Sequence, residues 1–218
     1  MKTSYLLLAV SFLSLHSVLA DWVVVQKATA DGDTQEVSIK IKGEKTRMDV
    51  GDKMSMIADG TNANMLMLMH QQKMMMKMDA DSIKSIMAMA GAALGGDKPV
   101  EKPVATGQKE KVGQYDCEIY TWSGKMGSGK FWVDKNFPNF KELNESQDKM
   151  MKAMGDPAAA FSPQASDFPG MVVKSEIQMM GKSSVSELVS VKEETVDEAV
   201  FTPPADYQEM KMPKLPGK

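Results

Sequence analysis

Polar and apolar residues alternate most clearly over residues 36–42. Val37, Ile39 and Ile41 stand between Glu36, Ser38, Lys40 and Lys42. A period of two places one face of a strand in a core and the other in water. Trp22-Val23-Val24-Val25 opens an earlier strand, which Thr29–Asp33 ends. Glycine and aspartate then punctuate a series of short strands. Gly43-Glu44-Lys45 turns into Thr46–Val50, Gly51-Asp52 into Met54–Ala58, and Asp59-Gly60-Thr61-Asn62 into Met65–Met69, which pairs with Met74–Met78 through His70–Lys73. This is the pattern of an antiparallel meander.

The period then lengthens. Asp79 or Asp81 caps a helix whose stripe is Ile83, Ile86, Met87, Ala90 and Leu94, closed by Gly95-Gly96. Asp97–Pro103 predicts a flexible connector. Gly107–Phe140 reads as strand, glycine-rich reversal, strand and helix start. Val112, Cys117 and Ile119 mark its apolar positions, Tyr115, Tyr120 and Trp122 add β-favouring aromatics, and Phe131-Trp132-Val133 resumes the sheet. Gly124, Gly127 and Gly129 join two strands rather than opening a helix, so they read as turn residues and not as a phosphate loop. Asn139, with Glu142 three residues on, caps a second helix presenting Phe140, Leu143, Gln147, Met150, Met151 and Met154, stopped by Gly155 and Pro157. A proline-bearing loop over 158–168 leads to alternation across Met171–Met179, and Gly181-Lys182 turns into Val185–Val191. Glu193–Val200 is acidic and patternless, Phe201-Thr202-Pro203-Pro204 is extended, and the tail beyond is expected to fray, with 211–218 disordered. About ten strands and two amphipathic helices predict an α+β fold: one large curved antiparallel sheet with both helices packed on its concave face.

The first twenty residues stand apart from this pattern. Lys2 precedes the apolar run Tyr5–Leu15, and Val18-Leu19-Ala20 is a small-x-small cleavage site, so 1–20 is expected to be a signal peptide. The mature chain, 21–218, then forms a single sheet-rich domain, periplasmic or secreted. The run is too short to span a bilayer, and no stable transmembrane anchor is expected. Lys+Arg total 26 against 29 Asp+Glu; without Lys2 the balance is 25 against 29, a net charge of −4. The charges are interspersed, and Arg47 is the only arginine, so nucleic acid is excluded as a partner. The lone cysteine, Cys117, reads as a small buried apolar residue rather than a nucleophile.

Candidate chemistry is sparse. Beyond the leader there is one histidine, His70, in no nucleophile motif, and no G-x-S-x-G, so no enzyme, catalytic residue or cofactor is expected. The anomaly is 22 methionines, many in Met-x-Met spacing. Thioethers suit Cu(I), with Met65, Met67, Met69 and His70 as candidates and Met54, Met56, Met76 and Met78 in reserve. On one strand, however, His70 points away from Met65, Met67 and Met69. Methionine also packs adaptable apolar surfaces. The expectation is that this face is core and binds only trace Cu(I), so no metal is assigned.

Val112-Gly113-Gln114-Tyr115-Asp116-Cys117, Phe131-Trp132-Val133-Asp134-Lys135-Asn136-Phe137, Asp167-Phe168-Pro169-Gly170-Met171 and Leu188–Glu194, with Asp21-Trp22-Val23 at the start, resemble an exported bacterial family defined only as a domain of unknown function. More distantly the layout is similar to the periplasmic lipoprotein-carrier fold, an incomplete β-barrel whose helix-lidded concave face holds acyl chains. That resemblance implies a hydrophobic ligand, a lipid or lipidated peptide, between sheet and helices. The expected cavity residues are Met65, Met67, Met69, Ile83, Ile86, Met87, Ala90, Leu94, Phe140, Leu143, Met150, Met151 and Met154. It also makes Arg47 the one candidate for a lid latch. The alternative is a sheet that presents a surface or edge to an envelope protein partner.

Overall fold

The structure is a computed structural model that describes residues 20–62, 64–79, 81–83, 85, 101–124, 127–153 and 162–210, without the side chains of 149–153. The expected leader up to residue 19, the tail 211–218, and Ile86, Met87, Ala90, Leu94 and Met154 lie outside the described residues.

Among the described residues, twelve strands form one open, curved, mostly antiparallel sheet. They are β1 Trp22–Ala30, β2 Asp33–Lys42, β3 Lys45–Val50, β4 Met54–Asp59, β5 Asn64–Met69, β6 Met74–Met78, β7 Val104–Val112, β8 Tyr115–Gly124, β9 Gly127–Asp134, β10 Met171–Met179, β11 Lys182–Glu193 and β12 Gln208–Met210. Their order is β12-β6-β5-β4-β3-β2-β1-β11-β10-β9-β8-β7. Two meanders, β1 to β6 and β7 to β11, are therefore fused where β1 pairs with β11. One helix includes residues 81–83 and 85; the other, α1, is Phe140–Ala153.

Turn chemistry fixes the register. Asp31 and Gly32 both have positive φ (52° and 89°), as do Met180 and Gly181 (53° and 79°). Two consecutive left-handed residues make the tight hairpin whose twist matches the flanking strands. Thus β1 runs on to Ala30, past the end expected at Thr29. The glycine-rich reversal also differs from expectation. Gly127 and Gly129 lie inside β9, opposite Met179 and Ile177 of β10. A Cβ on Gly127 would strike the Gln178 carbonyl, and the Phe131 ring occupies the space beside Gly129. These glycines permit close packing of strands and rings, a use the sequence pattern does not separate from a turn.

The largest core cluster joins Trp22, Val24, Ile41, Ile119, Trp132, Val173 and Leu188 from the sheet to Leu143 of α1. Burial of such side chains contributes roughly 1.5–3 kcal/mol each. A second cluster sets Tyr120, Trp122, Phe131 and Val133 against Phe168. The third, Ile57 and Leu68 with Val196 and Phe201, lies on the opposite face from Val24 and Ala58, as strand alternation requires. It is made by the segment after β11, expected to be patternless and then fraying. Val196 and Phe201 instead plug into the sheet through a 3-10 turn at Glu198–Phe201, and β12 adds in parallel to β6. The described segment after β11 is therefore packed on the sheet and paired with it.

Candidate functional site

Register turns the methionine anomaly into geometry. Ile39, Met48, Met56, Met67, Met76 and Met210 stand opposite one another across β2, β3, β4, β5, β6 and β12. Val50, Met54, Met69 and Met74 form the next row, and Thr46, Ala58, Met65 and Met78 the row beyond. Side chains two apart on a strand share a face, so ten methionines (48, 54, 56, 65, 67, 69, 74, 76, 78 and 210) line one face. All ten are half-buried, whereas Leu68 and Ser55, which point the other way, are fully buried. The methionine face is thus less deeply packed than the core that the sequence predicted there.

Helix α1 covers one end of this face. Leu143 is buried in the main core beside the half-buried Phe140. Asn144 is buried and its Nδ2 donates to the Ala165 carbonyl at 3.1 Å, tying the helix to the loop that follows it. Between helix and sheet lies a cavity of about 240 Å³ lined by Val24, Ile39, Ile41, Met48, Met56 and Met65 below, and by Leu143, Asn144 and Gln147 above, with Met171 at its side. Among larger hollows, those of about 510 and 710 Å³ are lined in part by lysines and carboxylates, Lys109, Asp116 and Lys135 in the first and Lys45, Asp59 and Lys77 in the second. The larger of these also has Ile57, Leu66, Met78 and Phe201 in its wall, but the helix-covered cavity has no charged residue in its lining.

The expected site residues divide accordingly. Met65 and Leu143 line the cavity, Phe140 packs against the core cluster that holds Leu143, and Met67 extends the Met48–Met56 row with Met69 in the row beside it. Ile83 is buried. The side chains of Met150 and Met151 lie outside the described part, as do Ile86, Met87, Ala90, Leu94 and Met154. Met48, Met56 and Met171 are not among the expected cavity residues. For Met48 and Met56, alternation combined with hairpin register, starting from Ile39, would have found them.

Arg47 is on the opposite face and holds a different element. Its Nη1 donates to the Val200 carbonyl at 2.8 Å, its Nε to Asp49 Oδ1 at 2.6 Å, and its Nη2 to Ser55 Oγ at 3.1 Å. Its partners thus include the C-terminal segment. Ser55 donates to Asp49 Oδ1 at 2.6 Å and contacts His70 Nε2 at 2.7 Å, and His70 Nδ1 contacts Tyr207 Oη at 2.5 Å. Because the single Ser55 proton is committed to Asp49, His70 Nε2–H must donate to Ser55 and Tyr207 O–H to His70 Nδ1. Burial alone would raise the Asp49 carboxyl, but hydrogen bonds from Ser55, Lys40 and Arg47 outweigh it and hold it below its ordinary value. Asp49 touches the serine and not the histidine, and Ser55 has no exposed surface, so this is not a nucleophile–base arrangement. It is a clasp on the C-terminal segment, reinforced by Lys42 Nζ donating to the Val196 carbonyl at 2.7 Å and by the ion pair Lys45–Glu198.

Cys117 is buried, and its thiol is pushed up to about 11, first by burial and then by Asp134. His70 is turned to the clasp, so the structure does not bring it together with Met65, Met67 and Met69. Among the described residues no group of three or more His, Cys, Asp or Glu is placed to hold a metal, and no helix is long and apolar enough to cross a membrane.

No curated protein matches the chain in sequence. Among solved structures, it is similar to PNGF-II at 12% identity and TM-score 0.42, over 88% of this chain but 31% of that one. It is similar to a LolA superfamily protein from Nitrosomonas europaea at 11% identity and TM-score 0.33, over 85% and 90% of the two chains. It is also similar to the lipoprotein LppX of Mycobacterium tuberculosis, at 11% and 0.42 over 83% and 90%. All three likenesses are distant, and no ligand follows from them. A family model, by contrast, matches residues 23–207, nearly all of the sheet: the chain belongs to the family described as Domain of unknown function (DUF4412).

Proposed function

We propose that this is an exported, non-enzymatic binding protein that holds a flexible apolar ligand, a lipid acyl chain or lipidated peptide, between the sheet and α1. The observation that carries this reading is the cavity of about 240 Å³ walled by Val24, Ile39, Ile41, Met48, Met56, Met65 and Leu143, opening onto further half-buried methionines. Pockets for drug-sized ligands occupy about 300–1,000 Å³. This one suits the end of a single chain, with the remainder lying along the thioether rows. Each buried methylene contributes about 0.8 kcal/mol, so seating six of them contributes about 5 kcal/mol. Thioether side chains, unbranched and polarizable, conform to chains of differing length and unsaturation.

Lipid extraction and native mass spectrometry of the protein purified from its own host test this. The expected result is a co-purifying lipid that is lost from Met65→Trp, which fills the cavity. A wild-type protein that carries no lipid and takes up none from vesicles overturns the reading.

One observation favours a second role. Strand β7 is the sheet edge and is exposed from Val104 to Lys111. An unpaired edge can accept a strand from an envelope partner. Crosslinking from a residue on β7 in envelope extracts should then capture one specific protein, and a pattern of scattered products would count against it.

A further inference from the structure

The hairpin β5–β6 carries a square of four thioethers that the apolar cavity does not use. Met67 stands opposite Met76, and Met69 opposite Met74, on one face. Across the strands such pairs have Cβ atoms about 4.5–5.5 Å apart. Along each strand, residues two apart are separated by roughly 6.5–7 Å. Met210 of β12 lies next to Met76 in the parallel pairing and supplies a fifth sulfur at the same edge. All five are half-buried, so they are neither locked in the core nor free in water. None lines the helix-covered cavity, whose methionines are Met48, Met56, Met65 and Met171.

We infer that Met67, Met69, Met74 and Met76 form a soft-metal site that takes Cu(I), with Met210 as an alternate ligand. Three features of the square lead there. Its donors are all neutral thioethers, the ligand class that selects Cu(I) over harder divalent ions. Met69 and Met74 are the last residues of β5 and the first of β6, so the turn through His70–Lys73 sets one edge of the square. Each side chain has three rotatable bonds, and sulfurs rooted at four corners of this size can swing inward over its centre. Single-strand reasoning, which counted Met65, Met67, Met69 and His70, misses this because cross-strand neighbours are closer than same-strand ones. His70 takes no part, since it is bound to Ser55 and Tyr207 on the other face.

The donor set fixes a signature. Cysteine, histidine and carboxylate ligands must lose a proton to bind, so their metal affinity depends on pH. Thioethers have none to lose, so Cu(I) affinity here stays level from pH 5 to pH 8. Zn(II) and Cu(II) are not retained.

The test is anaerobic titration of the mature chain with Cu(I) in competition with a chromogenic Cu(I) chelator, at both ends of that pH range, with X-ray absorption of the loaded protein. The expected result is a single tightly held equivalent with sulfur-only coordination and a pH-independent constant. Losing even outer-shell support costs metal sites about 10–100-fold, so Met67→Leu/Met76→Leu should weaken binding at least that much. Methionine-to-leucine exchange is nearly volume-conserving, so the variant folds, and circular dichroism verifies it. His70→Ala should bind as the wild type does. Cu(I) that is lost to the chelator, or held equally by Met67→Leu/Met76→Leu, overturns the site. Met65→Trp, which fills the cavity and leaves all five sulfurs in place, should lose co-purified lipid and still hold Cu(I) as the wild type does, which separates failure of this site from failure of the apolar-ligand reading.

Discussion

Replacing Ser55 with alanine should destabilise the protein by about 3 kcal/mol. The hydroxyl accepts from His70 Nε2 at 2.7 Å and Arg47 Nη2 at 3.1 Å and donates to Asp49 Oδ1 at 2.6 Å, with no exposed surface. Arg47 keeps Asp49 and the Val200 carbonyl as partners, and Asp49 keeps Arg47 and Lys40. The main losses are therefore an orphaned His70 N–H, costing about 1–3 kcal/mol, and one bond to a carboxylate, contributing about 1.5–3 kcal/mol. The two share a centre and do not add fully. Urea unfolding with an unchanged denaturant slope gives the total. Hydrogen exchange at the Gln208 amide, which bonds the Lys73 carbonyl at 2.9 Å, reports whether the C-terminal segment loosens first. Tyr207→Phe removes the far end of the same chain. A cycle with Ser55→Ala should show a coupling of at least about 0.5 kcal/mol through His70. A loss below about 1 kcal/mol, or strictly additive effects, would refute the clasp as a connected network.

Further outcomes follow from other features. The Asp49 carboxyl is held below its unfolded value, so its stabilising contribution is present above that value, about 3.9, and is lost as pH falls through its lower folded value; acid titration should release the C-terminal segment in this range, and Asp49→Asn should flatten the dependence. Leu143→Ala should cost about 2–5 kcal/mol and reduce lipid retention, read by thermal unfolding and lipid extraction, because this buried side chain both anchors α1 and roofs the cavity. Gly170→Ala should cost about 1–3 kcal/mol, since a Cβ there would meet the Asp134 carbonyl; an unchanged Tm would show that β9 can move aside. Cys117, 2% exposed with its thiol near 11, should resist thiol reagents at pH 8 until urea unfolds the chain, and rapid labelling of the native protein would contradict its burial.

The meander was readable because its turns are short and chemically explicit. Alternation at Val37, Ile39 and Ile41, with Gly43 and Gly51 at the reversals, set the register through β4. What alternation does not carry is the identity of distant neighbours. Nothing local pairs Trp22–Ala30 with Lys182–Glu193, or carries the acidic segment 193–200 across the back of the sheet to Ile57 and Leu68. That segment has few apolar residues, and Val196, with Phe201 just beyond it, docks it alongside the polar clasp. The polar part was hidden for a related reason. Arg47 and Asp49 on β3, Ser55 on β4 and His70 just past the end of β5 look like surface residues until register places them together. The methionine face was half visible: single strands showed which side chains share a side, and only cross-strand pairing showed how closely they stand.

The join between β1 and β11 also orders events in time. As the chain emerges from its N-terminus, β1 can pair at once with β2 across Asp31-Gly32, and the first meander can zip up from local contacts. The other flank of β1 must wait for residues 182–193, the last long strand of all. Until then it offers a row of unmet backbone donors and acceptors beside Val23 and Val25, the kind of edge on which nascent chains stick to one another. Joining these far-separated segments raises contact order and should be the slow step of folding. The early half is thereby the part most in need of a chaperone's shelter, and a truncation before Lys182 would leave it aggregating rather than half-functional.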